Sequence, residues 1–160
     1  MKKFLMVKLV SLTLCSTAYG LAPTPTVQLA QAIAKAEGFY TRGTIPQRCH
    51  NPGDLKTITG YRYPGQAGVC KGMHARFRSN ADGWRALEHQ LSKIIDGTSR
   101  YSVNMTLRQV SKRYAGNSRV WMDNVARNLG VTPNTCLFEI LDVPPVLDRK
   151  FFTKGAAYGT

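Results

Sequence analysis

Residues 32–55 read AIAKAEGFYTRGTIPQRCHNPGDL, and this stretch carries the chain from a helical pattern into a long loop. Its first twenty-two residues hold one acidic side chain, Glu37. Working backwards, Leu29, Ile33 and Glu37 recur every four residues, so they share one helix face, with Ala32 and Ala36 in the neighbouring stripe. Thr24 can cap that helix with Pro25 in its first turn, and Gly38 is a natural stop. The helix therefore runs to about residue 37, and Glu37 ends the stripe that Leu29 and Ile33 turn toward the core. A carboxylate on the apolar side of a helix end, in a chain poor in acids, demands a chemical reason.

Working forwards, residues 40–55 are rich in Gly, Pro, Asn and Thr and read as loop. Residues 56–78 alternate weakly, with Tyr61 and Tyr63 ahead of PGQAG and Val69, Met73 and Phe77 beyond it, which reads as a small hairpin. Helices resume after SNADG, where Trp84, Leu87, Leu91, Ile94 and Ile95 keep helical spacing and Gly97 closes the run. Thr106 with Gln109 fits a capping box, and Leu107, Val110 and Tyr114 mark the buried face behind it. Ser118 opens another helix, with Val120, Trp121, Val125 and Leu129 inside and Gly130 at its end. VTPNTCLFEIL supplies a shorter one, with Thr132 as cap and Pro133 first, halted by Pro144 and Pro145. The fold class is mainly α (α+β), a helical domain with one antiparallel hairpin flap.

Lys2 and Lys3, the short apolar run 9–15, and small Ala18 and Gly20 form the pattern of a secretory signal peptide over residues 1–20. One domain over 21–149 follows, then a tail over 150–160. The formal charge is +13, falling to +10 when Lys2, Lys3 and Lys8 leave with the leader. Such a balance points to an anionic partner. Dispersed charges, with no arginine-rich run or strongly amphipathic cationic helix, argue against nucleic acid and membrane insertion and leave anionic wall polymers. His50, His74 and His89 show no metal-ligand spacing with the cysteines, so neither metal nor cofactor is expected. Beyond the leader, Cys49, Cys70 and Cys136 allow one internal bridge. Cys49–Cys70 is favoured because both flank the same loop-and-turn region, and closing that loop contributes about 3 kcal/mol in the chain-entropy model. Cys136 is then buried and free, or paired between chains. The expected product is a periplasmic or secreted monomer.

In their order and spacing, AIAKAEGFY, NPGDL, FRSNADGWRALEHQL, MTLRQVSKRYAG and WMDNVARNLGV resemble the lysozyme-like superfamily, specifically lytic-transglycosylase-like and phage-type muralytic domains. The resemblance implies a lysozyme-like helical domain that cleaves peptidoglycan glycan strands between N-acetylmuramic acid and N-acetylglucosamine. A glutamate at the end of the first core helix is the catalytic acid and base in that superfamily, and only Glu37 matches it. NPGDL looks like the loop lining the sugar cleft. The Glu-Ser pair common in lytic transglycosylases is Glu37-Gly38 here, and their GLMQ segment has no counterpart.

Cleavage needs a proton for the leaving oxygen, and burial beside apolar groups keeps a carboxylic acid loaded. The helix C-terminus pushes in the same direction. The competing reading makes Glu37 an exposed partner of Lys35 or Arg42. With one carboxylate, the economical course is that of a lytic transglycosylase: Glu37 protonates the bridging oxygen, then takes the proton of the muramyl 6-hydroxyl as a 1,6-anhydro ring closes. A hydrolase of the two-carboxylate kind needs a second acid, for which Asp54 is the candidate. An Asp after Pro-Gly commonly bonds its own backbone in a turn, so a structural role is the expectation. Asp82 and Asp123 read as capping or surface residues. Asn51, Tyr61, Tyr63 and Tyr114 are candidates for contact with sugar, and Arg62, Lys71 and Arg76 for contact with its carboxylates. The alternative function is a non-catalytic peptidoglycan-binding module in which Glu37 is dispensable.

Overall fold

The hydroxyl of Thr24 accepts a hydrogen bond from the Val27 amide, Pro25 takes the first turn, and α1 (Pro25–Ala36) ends with Glu37 as its cap. The computed structural model describes residues 22–147. The leader expected at 1–20 and the tail expected at 150–160 lie outside the described residues. Inside the loop expected after α1, Thr44 caps a single extra turn, α2 (Ile45–Arg48), with Pro46 near its start.

The flap consists of β1 (Gln66–Cys70), a 3-10 turn at Lys71–Met73, and β2 (His74–Phe77). The strands are antiparallel, pairing Cys70 with His74 and Val69 with Ala75, with an irregularity between Gln66 and Gly68. Tyr61 and Tyr63 precede the strands. The Cys49–Cys70 disulfide is formed as expected, with Cα atoms 6.4 Å apart, and joins the end of α2 to the flap.

Helix α3 (Asn80–Ile95) starts earlier than its apolar spacing indicates, because Ser79 accepts from the Asp82 amide and draws NADG into the first turn. The Thr106–Gln109 capping box opens α4 (Leu107–Tyr114). Ser118 opens α5 (Arg119–Leu129), which Gly130 closes at φ 69°. The buried stripe of α5 is Trp121, Met122, Val125 and Ala126, which leaves Val120 outside at 72% exposure rather than in the core. The last helix, α6 (Leu137–Leu141), begins at Leu137 and not at Pro133. Thr132 and Thr135 close a turn instead, and Cys136, free and half-buried, takes the cap position with its amide bonded to Glu139.

α1 packs on α3, α5 and α6, with Leu29, Ala30 and Ala34 essentially removed from solvent. A second, smaller core lies under the flap: Leu55, Tyr63, Ala75, Phe77 and Ala86. α3 joins the two, since Ala86 faces the flap core and Leu87 the helical one. Among the described residues, no helix is long and apolar enough to cross a membrane.

The NPGDL loop is pressed onto the first turn of α3 at Gly83. A Cβ there would lie 1.9 Å from the His50 carbonyl oxygen and 2.7 Å from Pro52 Cδ. Gly83→Ala is expected to destabilise the fold by about 1–3 kcal/mol, the usual overpacking range. A Cβ on Gly68 meets nothing within 4 Å, so Gly68→Ala should stay within about 0.5 kcal/mol. Urea unfolding of the two variants checks the contrast, and equal stability would show that the loop is not seated here.

Candidate active site

Glu37 stands where α1 stops, at the wall of a cleft of about 980 Å³. That volume is in the range of small-ligand sites. Its Oε1 accepts a hydrogen bond from Trp121 Nε1 at 2.7 Å. Trp121 is buried on α5, and an interior indole needs a partner for its N–H. Removal from water is the largest influence on the Glu37 carboxyl and the Asp54 charge the next, together pushing its pKa up to about 7 against the pull of Trp121 and Lys56. Near neutral pH the group is divided between acid and carboxylate, as a residue that must both give and take a proton requires. Among the described residues neither Lys35 nor Arg42 forms an ion pair with it.

Asp54 lines the same cleft. Burial raises its pKa, while His74 and then Lys56 favour its ionised form. His74 Nδ1 lies 2.6 Å from Asp54 Oδ1, off the line of the N–H, which is better aimed at the Asp54 backbone oxygen 3.3 Å away. Among the described residues the buried Oδ1 is met by this short His74 contact and by no other hydrogen-bonding group. The turn role expected of Asp54 belongs instead to Asn51. The Asn51 Nδ2 donates to the Leu55 and Ala75 carbonyls, both at 2.9 Å, and its Oδ1 accepts from the Leu55 amide at 2.8 Å. Asn51 is fully buried and both its amide hydrogens are used, so it has none to offer a sugar.

The tyrosines divide in the same way. Tyr63 is a flap-core residue, packed edge-on against Phe77 with its hydroxyl donating to the Lys56 carbonyl at 3.1 Å. Tyr114 lies along Trp121, ring centroids 5.2 Å apart, and donates its hydroxyl to the Gly53 carbonyl. Burial, followed by the charges of Glu37 and Asp54, pushes that phenol well above the ordinary tyrosine range. Both line the cleft but have committed their hydroxyls to backbone. Tyr61 sits outside the lining, with Lys93 Nζ 5.5 Å from its ring. Arg62 is turned back onto the Gln66 carbonyl. Asp82 accepts from Ser79, which lowers its pKa, and meets Arg85 at 2.7 Å at the start of α3.

Three residues at the site carried no functional weight in the sequence: Trp121, His74 and Lys56. Trp121 reads as a core residue from its spacing, and the need of a buried indole N–H for a partner is the available signal. His74 and Lys56 meet Asp54 only through the register of the flap, which spacing alone does not encode. Compared with protein-family models, curated proteins and solved structures, the chain matches none.

The opposed influences on Glu37 give a signed prediction. Asp54→Asn removes a like charge and should lower the Glu37 pKa from about 7, whereas Trp121→Phe removes a hydrogen bond to the carboxylate and should raise it. Carbon-detected NMR titration of the Glu37 carboxyl reads both, and two shifts of the same sign would contradict this geometry.

Proposed function

We propose that this protein cleaves the glycan strands of peptidoglycan between N-acetylmuramic acid and N-acetylglucosamine, with Glu37 as general acid and base. The observation that carries the reading is a pair of carboxyl groups lining one cleft, with Glu37 bonded by a buried indole and Asp54 faced by His74. Burial raises both groups, Glu37 to about 7, and at Asp54 it is opposed first by His74 and then by Lys56, which favour the ionised form. The lysozyme-like resemblance of the AIAKAEGFY segment supports the role of Glu37, the case for Asp54 rests on its place in the cleft, and a lysozyme-like fold is part of the proposal.

Glu37 protonates the glycosidic oxygen as the bond to the leaving sugar breaks, and positive charge develops at the anomeric carbon. The Asp54 carboxyl group, at the cleft wall, is the acceptor for an attacking water, or a negative charge facing that carbon. This second carboxylate favours hydrolysis, the course of a lysozyme, over the anhydro-ring closure that Glu37 alone would have implied. The disulfide and the basic surface fit an exported protein working on an anionic wall polymer.

Digestion of peptidoglycan sacculi, with released fragments identified by mass spectrometry, tests the reading. The wild type should release muropeptides with reducing muramic acid ends, and Glu37→Gln should slow release by about 100-fold or more. Because the acid must be loaded, cleavage should decline as pH rises through about 7. Anhydro ends, still formed by Asp54→Asn, would make the enzyme a transglycosylase with Asp54 outside the chemistry. A folded wild type that binds sacculi and releases nothing would leave a binding module.

A further inference from the structure

Lys56 precedes the flap and pairs with His74 across an isolated antiparallel bridge. Its ammonium donates to the Gly72 carbonyl at 2.8 Å and lies 2.5 Å from His74 Nε2. An ammonium has hydrogens to give and no lone pair to receive one, so the nitrogen it faces must accept. Nε2 therefore bears the lone pair, and the ring hydrogen sits on Nδ1. Nδ1 is the nitrogen turned to Asp54, 2.6 Å from Oδ1 and 3.3 Å from the backbone oxygen. The ring is held closely: His74 is buried, and a Cβ on Gly72 would stand 3.2 Å from its Cδ2.

Asp54 is also faced by Glu37 from α1 and by the Tyr114 phenol from α4. Neither brings positive charge, and an ionised Glu37 opposes a second anion beside it. The influences that favour the Asp54 carboxylate come from His74 and Lys56.

We propose that Lys56 is a positioning residue, which selects the Nδ1–H tautomer of His74 and through that ring holds the Asp54 carboxyl group in place at the cleft. The proposal rests on the reading of Asp54 as the second carboxylate of glycan cleavage. Lys56 acts through its neighbours and need not touch the bond that breaks. Charge alone is insufficient for this role, because a cation elsewhere on the rim would leave the imidazole free to exchange its hydrogen between nitrogens. A fixed tautomer is a standard requirement where a histidine orients a second group.

Long-range proton–nitrogen NMR of the whole protein at neutral pH reads the tautomer directly. The wild type should show a hydrogen-bearing Nδ1 and a bare Nε2 at His74. Lys56→Met should shift those signals toward a mixture, raise the apparent pKa of the Asp54 carboxyl in a carbon-detected titration, and lower kcat on sacculi by about 10- to 100-fold while KM moves by no more than about twofold. Lys56→Arg, which restores a donor, should recover part of each loss. A hydrogen on Nε2 in the wild type overturns the proposal, as do His74 and Asp54 signals that are unchanged in Lys56→Met. A wild type inactive on every wall substrate refutes the glycan reading, and the same NMR spectra still decide whether Lys56 sets the ring. Should Lys56→Met fail to fold, the wild-type tautomer and the Lys56→Arg titration carry the decision.

Discussion

The buried amide of Asn51 ties together backbone groups from two separate parts of the chain, the 51–55 turn and strand β2. An intramolecular hydrogen bond adds only about 1 kcal/mol net, yet a buried donor or acceptor left without one costs about 1–3 kcal/mol. Three such groups around one side chain therefore make this junction a strong constraint on the loop. With the turn satisfied from within by Asn51, the side chain of Asp54 is released from backbone duty and can face the cleft. Its left-handed backbone, φ 46°, is tolerated because the surrounding bonds fix the turn. The flap, the NPGDL loop and the second carboxylate are placed together by the same contact.

The cleft lies between two cores, and its chemistry is divided along that line. The helical core supplies Glu37 at the end of α1 and the indole that bonds it from α5. The flap side supplies Asp54, His74 and Lys56. α3 packs against both cores, so it sets how the two contributions stand to each other, while the disulfide fastens the opposite edge of the flap to α2. Tyr114 adds a third tie, from α4 to the Gly53 carbonyl. The two carboxyl groups thus come from different packing units joined at several points.

Much of this was legible in the sequence where the physics is local. Thr24, Ser118 and the Thr106–Gln109 box bond amides within three residues, so a cap can be read from its own neighbourhood. The α2 turn had the same kind of signal, Thr44 followed by Pro46, hidden in a stretch whose composition reads as loop. Thr132 shows the limit of such signals, since its cap-and-proline pattern was used for a turn while α6 started at Leu137. At the site, the position of Glu37 was visible because helix periodicity puts it on the core face. The exchange of roles between Asn51 and Asp54 was not, because both are good turn formers and the choice is made by Ala75, twenty-four residues away, when β2 arrives. The same holds for Trp121, eighty-four residues from Glu37 along the chain.

The raised affinity of Glu37 for its proton also bears on the fold. An unfolded chain releases that proton near the ordinary glutamate value of 4.5, whereas the folded protein keeps it to about 7. Between those two values the folded state binds the additional proton, so folding draws protons from solution, and the stability this residue contributes declines as pH rises through the interval. Below it the neutral acid sits in its apolar pocket without an ionisation penalty. Above it the chain must either hold a poorly hydrated charge or open. The protonation that would load the acid in the proposed cleavage is thus the same one that favours the closed fold around it.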